Sequence, residues 1–175
     1  MNLKTYLKQN KPLKVKQGKF TKAYLYENEV ILKTNDPVKE CMALGWFPES
    51  RLFPEVKFEN SLETEDEFTV YKMERFETGR AVKAMLCKED YEGLYLPLRQ
   101  VFKNFFKSKQ GNNIQFRELL EKTSLLEEIK EDLLWAFEAC MNYSSNVFFE
   151  ISPRNIAAKD GKLILLDCFF IEEGR

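Results

Sequence analysis

The chain has 175 residues, with 27 Lys and Arg, 28 Asp and Glu, four Cys and no His. Its length fits one domain or two closely packed lobes, and 44% hydrophobic residues with 15 Phe supply a real core, which excludes bulk disorder. The missing His excludes Ser-His-Asp and Cys-His hydrolases, His-ligated zinc and an imidazole base, so proton transfer near neutral pH falls to a carboxylate, Lys, Tyr or Cys.

The net charge of −1 is unevenly spread. Residues 1–26 hold seven Lys and no acid, leaving 20 basic against 28 acidic residues in the remainder. Such an arm attracts phosphates or nucleic acid, but lysines every three or four residues, without Arg, fit a solvated face better. Nucleic acid is therefore the less favoured partner.

Residues 2–9 are predicted as a short helix. From Gly18 the pattern turns to strands: 19–26 is β-rich, 27–29 is a turn, and Val30-Ile31-Leu32-Lys33 is a second strand. Asn35-Asp36-Pro37 is a helix start, with a capping side chain followed by Pro in the first turn. That helix is expected to end about Leu44, near Gly45. Strands return at 55–58 and 67–73, joined across the charged loop 63–66. After Thr78-Gly79 the chain becomes helical, with segments near 80–87, 90–107 and 114–122. The longest helix is predicted from Leu125 to Asn142, with Ser124 as cap and Glu127 completing a capping box. Its apolar positions, Leu125 to Cys140, form a stripe at helical spacing. Strands follow at 147–149, 156–158 and 162–166, the last two joined by the Asp160-Gly161 hairpin signal.

Strands and helices are segregated along the chain, which predicts an α+β fold in two lobes. Residues 1–76 are expected to form an N-lobe with an antiparallel sheet and one helix. Residues 77–175 are expected to form a reduced helical C-lobe with a small hairpin. Cys41, Cys87, Cys140 and Cys168 are too far apart in sequence for a CxxC clip and fit reduced core positions. The opening Met-Asn-Leu-Lys has no apolar stretch of a signal peptide, and no apolar run approaches the roughly 18 residues of a membrane span. A cytoplasmic protein without membrane contact is expected.

One constellation carries chemistry. Glu150 is followed by Asn155, and Asp167 ends an apolar strand beyond the hairpin. Two carboxylates and an amide on neighbouring turns match the needs of magnesium-assisted phosphoryl transfer: hard oxygen ligands, and a carboxylate to receive a hydroxyl proton.

These residues resemble the protein-kinase fold. Phe148-Phe149-Glu150-Ile151-Ser152-Pro153-Arg154-Asn155 is similar to the kinase catalytic loop, with Pro153 and Asn155 matching, Glu150 at the catalytic Asp and Phe148 at the His. Asp167-Cys168-Phe169 stands at the D-F-G motif, of which the Asp matches. Gly18-Lys19-Phe20-Thr21-Lys22-Ala23-Tyr24 resembles the second half of a Gly-rich loop. Lys33 ends its strand as in V-x-I-K, and Met73-Glu74-Arg75-Phe76 resembles a gatekeeper and hinge. Within kinases the compact size most resembles the early protein kinases of short-tailed bacteriophages.

The resemblance implies ATP and Mg2+ as cofactors. Gly18, Phe20, Met73, Glu74 and Phe76 would line the nucleotide site. Lys33 would hold phosphates and pair with Glu40. Asn155 and Asp167 would bind the metal, and Glu150 would act as base. A minimal protein Ser/Thr kinase of the cytoplasm, or of the host cytoplasm for a viral source, is expected. Glu150 in place of Asp, Phe169 in place of Gly, and only eight residues after Asp167 motivate an alternative. In that alternative a catalytically impaired, pseudokinase-like module binds and inhibits a host or regulatory protein.

Overall fold

The computed structural model describes residues 1–18, 20–107 and 113–171. Lys19, the predicted first residue of a strand, lies outside the described residues, as does everything beyond Ile171. The chain is α+β and divides into two compact units. The first contains Met1–Gly45 and Pro54–Arg75; the second contains Trp46–Phe53 and Phe76–Arg175. Where sequence predicts one boundary at 76/77, the chain changes unit between Arg75 and Phe76 and also sends 46–53 into the second unit.

The first unit opens with α1 (Leu3–Gln9), started by the Asn2 side chain accepting from the Lys4 amide. Its sheet contains β1 (Lys14–Gln17), β2 (Thr21–Leu25), β3 (Glu29–Thr34), β4 (Val56–Phe58) and β5 (Thr69–Glu74). All pairings are antiparallel, in the order β1-β2-β3-β5-β4. Between β3 and β4 comes α2 (Pro37–Ala43), capped by Asp36 with Pro at the first turn, as its sequence predicts. Gly45, just beyond, adopts φ 73°, a left-handed helix-stop conformation that favours glycine.

Register assigns each side chain to a face, because directly paired residues share one. Tyr24, Ile31 and Lys72 align across three strands, as do Lys22, Lys33 and Val70. This face packs against α1: Leu3, Tyr24, Ile31, Leu62 and Val70 form a buried cluster with Tyr6 and Leu7 beside it. Ala23, Leu32 and Tyr71 align on the opposite face. There burial, aided by Glu40, Asp36 and Cys41, pushes the Tyr71 phenol up to about 12, so α2 and its cap lie over that side.

The second unit contains β6 (Glu77–Thr78), α3 (Val82–Met85), α4 (Lys88–Asp90), a π turn (Tyr91–Tyr95), α5 (Leu96–Lys107), α6 (Asn113–Glu121) and α7 (Glu127–Met141). Then follow β7 (Val147–Phe149), β8 (Ile156–Lys159), β9 (Lys162–Leu165) and β10 (Phe169–Ile171). A three-stranded sheet runs β6-β8-β9, and β7 pairs with β10. The core is aromatic: Phe116 stacks on Phe137 at 4.7 Å, and Phe105, Phe149 and Phe169 pack around them.

α7 starts two residues later than predicted. Leu125 is buried, and its amide donates to the Thr123 hydroxyl rather than entering a helix. The N-cap position falls to Leu126, which makes no side-chain cap, so Ser124 is not the cap. Glu127 pairs with Lys130 at 2.7 Å instead of closing a capping box.

Candidate functional site

The loop 150–155 is shaped by its neighbours within the second unit. The Glu150 amide donates to the Cys168 carbonyl at 2.8 Å, continuing the β7–β10 pairing past Phe149 and Phe169. The Asn155 amide donates to the Ser152 carbonyl at 3.0 Å and closes a turn. The Asn155 carbonyl then accepts two amides, Leu166 at 2.9 Å and Asp167 at 3.2 Å. These bonds bring Glu150, Asn155 and Asp167 onto adjoining backbone segments, although twelve residues separate the last two. All three are half-buried.

Two further elements hold this arrangement. The β8–β9 hairpin, with Ile156 opposite Leu165, returns the chain to Asn155. Its turn has positive φ at both Asp160 (50°) and Gly161 (77°), the geometry expected for a two-residue Asp-Gly hairpin. Arg99 of α5 donates from Nη1 to the Ile151 carbonyl and fixes the other end of the loop. Sequence reasoning missed Arg99, because nothing local marks a helix residue that bonds a carbonyl far along the chain. Phe148, at the position of the kinase His, stacks on Phe170 at 5.1 Å.

Chemically, the loop and the adjoining Asp167 offer two carboxylates, one amide oxygen and a hydroxyl. The Ser152 Oγ is buried and finds no hydrogen-bond partner among the described residues. No group of three or more His, Cys, Asp or Glu able to hold a metal occurs among them either. Asn155 and Asp167 nevertheless fit a hard, oxygen-preferring divalent cation such as magnesium, which needs few protein ligands when phosphates complete its shell.

In the first unit the predicted residues are arranged differently from the expectation. Lys33 forms an ion pair with Asp66 and lies 5.0 Å from the Phe68 ring centroid. The Lys33 ammonium holds the Asp66 carboxyl below the usual carboxylate range. The expected Lys33–Glu40 pair is not made. Lys33 shares the face of Ile31, with α1, whereas Glu40 belongs to the helix over the Tyr71 face. Thr34, one residue on, points to the other side; its hydroxyl meets Thr21 Oγ1 at 2.8 Å and the Phe20 carbonyl at 3.0 Å.

The Gly18 amide donates to the Thr21 carbonyl at 2.8 Å, closing a tight turn between β1 and β2 in which Phe20 is exposed. Met73 pairs with Val30 and Val56, and Glu74 with Glu29, at the end of β5. Phe76 is half-buried at the start of the second unit. On α2, Lys39 is a buried cation that the sequence reading passed over.

No family model, curated protein or solved structure matches the chain. All four cysteines are free thiols, three of them buried. Among the described residues no helix is long and apolar enough to cross a membrane.

Proposed function

We propose that this chain is an ATP- and magnesium-dependent phosphotransferase, a protein Ser/Thr kinase of minimal size. One observation supports the reading: the Asn155 carbonyl accepts the Leu166 and Asp167 amides while the Glu150 amide reaches the Cys168 carbonyl, so the three residues stand on adjoining backbone segments. Asn155 and Asp167 would hold magnesium, which when bound neutralises phosphate charge. Glu150 would orient the acceptor hydroxyl and take its proton. The orphaned Ser152 hydroxyl adds a donor in the same turn that a phosphate oxygen satisfies. Catalysis of this kind rests on positioning and on charge stabilisation, not on a protein nucleophile.

The test is transfer of labelled γ-phosphate from ATP to a generic protein acceptor, with and without magnesium. Transfer is expected to need magnesium and to fall at least about 100-fold in Asp167→Ala, the scale on which a lost charge-stabilising group acts. Equal transfer by the variant and the parent chain overturns the assignment.

The position of Lys33 favours a second reading. The lysine expected to hold phosphates is committed to Asp66, on the sheet face opposite Glu40. A pseudokinase-like module that binds and inhibits a host or regulatory protein has no need of that lysine. Absence of any thermal shift with ATP and magnesium, together with retained partner binding in Asp167→Ala, selects it.

A further inference from the structure

The chain has two tryptophans, and both sit in one exposed patch of the second unit. Trp135 on α7 is 63% exposed, Trp46 is 39% exposed and Tyr143 is 40% exposed. The three are tied together: Trp135 Nε1 donates to the Trp46 carbonyl at 3.0 Å, and the Trp46 and Tyr143 rings lie 5.9 Å apart. Large aromatic rings held in water by a defined hydrogen bond mark a surface that another molecule covers.

On α7 the patch is flanked mainly by acidic residues. Glu128, Glu131 and Glu138 lie seven and four residues before and three after Trp135, so they share its side of the helix. Asp132 lies at the edge of the same side. Glu138 is occupied, with Arg117 at 3.6 Å and the Asn113 side-chain Nδ2 donating to it at 2.7 Å. Among the described residues Glu128, Glu131 and Asp132 make no ion pair. The one lysine of α7, Lys130, is buried and paired with Glu127.

We propose that the Trp135 face of α7 docks a basic, arginine-containing segment of another protein. An arginine guanidinium stacks on the indole face of Trp135 through the ring quadrupole, and the free carboxylates of Glu128 and Glu131 accept its N–H groups or those of a neighbouring arginine. Trp with carboxylate neighbours matches the anchor-and-rim pattern of interfaces, with the aromatic ring supplying most of the affinity. Nucleic acid is repelled by the same rim. A second copy of this chain fits poorly, because its basic stretch, residues 1–26, contains Lys and no Arg. The proposal stands independently of the phosphotransfer reading.

Because the only tryptophans are in the patch, intrinsic fluorescence of the full chain reports its occupancy directly. A short Arg-rich peptide is expected to shift the emission saturably, with affinity falling as salt is raised. An acidic peptide of equal length should leave it unchanged. Calorimetric titration should show at least about tenfold weaker binding for Trp135→Ala, the size of an interface anchor. Glu128→Gln with Glu131→Gln should weaken binding and flatten its salt dependence. These exposed substitutions leave the core intact, and circular dichroism checks that. No saturable shift at millimolar peptide overturns the proposal, as does equal binding of the acidic peptide or unchanged affinity in Trp135→Ala. Concentration-dependent dimers abolished by Trp135→Ala would assign the face to a second copy and overturn it too.

Discussion

Asp90 illustrates what a single side chain does for the second unit. Its carboxylate is 3% exposed, yet it accepts from Arg51 Nη1 at 2.8 Å, Arg51 Nη2 at 3.2 Å and the Leu163 amide at 2.7 Å. Lys162 stands 3.5 Å away. Burial alone would raise the Asp90 carboxyl, but the Arg51, Leu163 and Lys162 contacts outweigh it and hold the group below the ordinary carboxylate value of 3.8. A depressed carboxylate contributes stability above its unfolded value and loses it as pH falls through the folded one. Asp90→Ala is therefore expected to cost about 2–3 kcal/mol at pH 7 in urea denaturation, since it strands a buried amide and a guanidinium. The cost should shrink as pH falls below the ordinary carboxylate value and on through the lower value of the folded group. An unchanged urea midpoint at pH 7 would show that the cluster contributes nothing. Lys33 teaches a different lesson at this scale. That it lies in a strand was legible from Val30-Ile31-Leu32-Lys33, although β3 runs on to Thr34, but its sheet face was not. The face depends on where α1 and α2 pack, and neither choice is written in the strand itself.

Elements differ in how locally they are encoded. The start of α2 at Asp36-Pro37 and the Asp160-Gly161 turn were legible because cap and turn chemistry act within a few residues. β1, with sequence Lys-Val-Lys-Gln and exposed throughout, was not legible, because no buried face imposes a pattern on it. β10 was missed because it exists through pairing with β7, a non-local event. Ser124 was misjudged for a related reason: burial of Leu125 prevailed over a favourable local cap. Of the candidate site, the spacing of Glu150, Asn155 and Asp167 was visible, whereas the Asn155 carbonyl that joins them was not. The hairpin that serves this junction can be tested. A Cβ at Gly161 would meet Cys87 Cβ at 3.4 Å, on a backbone at φ 77° that disfavours any side chain. Gly161→Ala is expected to destabilise by about 1–2 kcal/mol, read as a lowered denaturation midpoint. A midpoint equal to the parent would mean that the turn relaxes freely.

At the scale of the molecule, the excursion of residues 46–53 matters most. Within the second unit Arg51 reaches Asp90, the Leu52 carbonyl accepts the Leu165 amide at 2.6 Å, and Phe47 packs on Phe53 and Phe169. A fragment beginning at Phe76 lacks every one of these partners. It is expected to unfold at lower denaturant than the same unit in the full chain, with reduced near-ultraviolet circular dichroism from its aromatic cluster. Addition of a peptide covering 46–53 should restore part of that signal. A fragment as stable as the intact unit would refute the structural importance of the excursion.

The same excursion sets an order of events during synthesis. Leu52 leaves the ribosome long before Leu165, its hydrogen-bonding partner, has been made. The first unit can gather its strands while translation continues, but the second must wait with one of its own pieces already made, in the connection from α2 to β4. Leu52 and Phe53, which end up buried, then stay exposed until the rest of the second unit has been made. Chaperone capture or aggregation in this interval is a cost that the connectivity imposes on the chain.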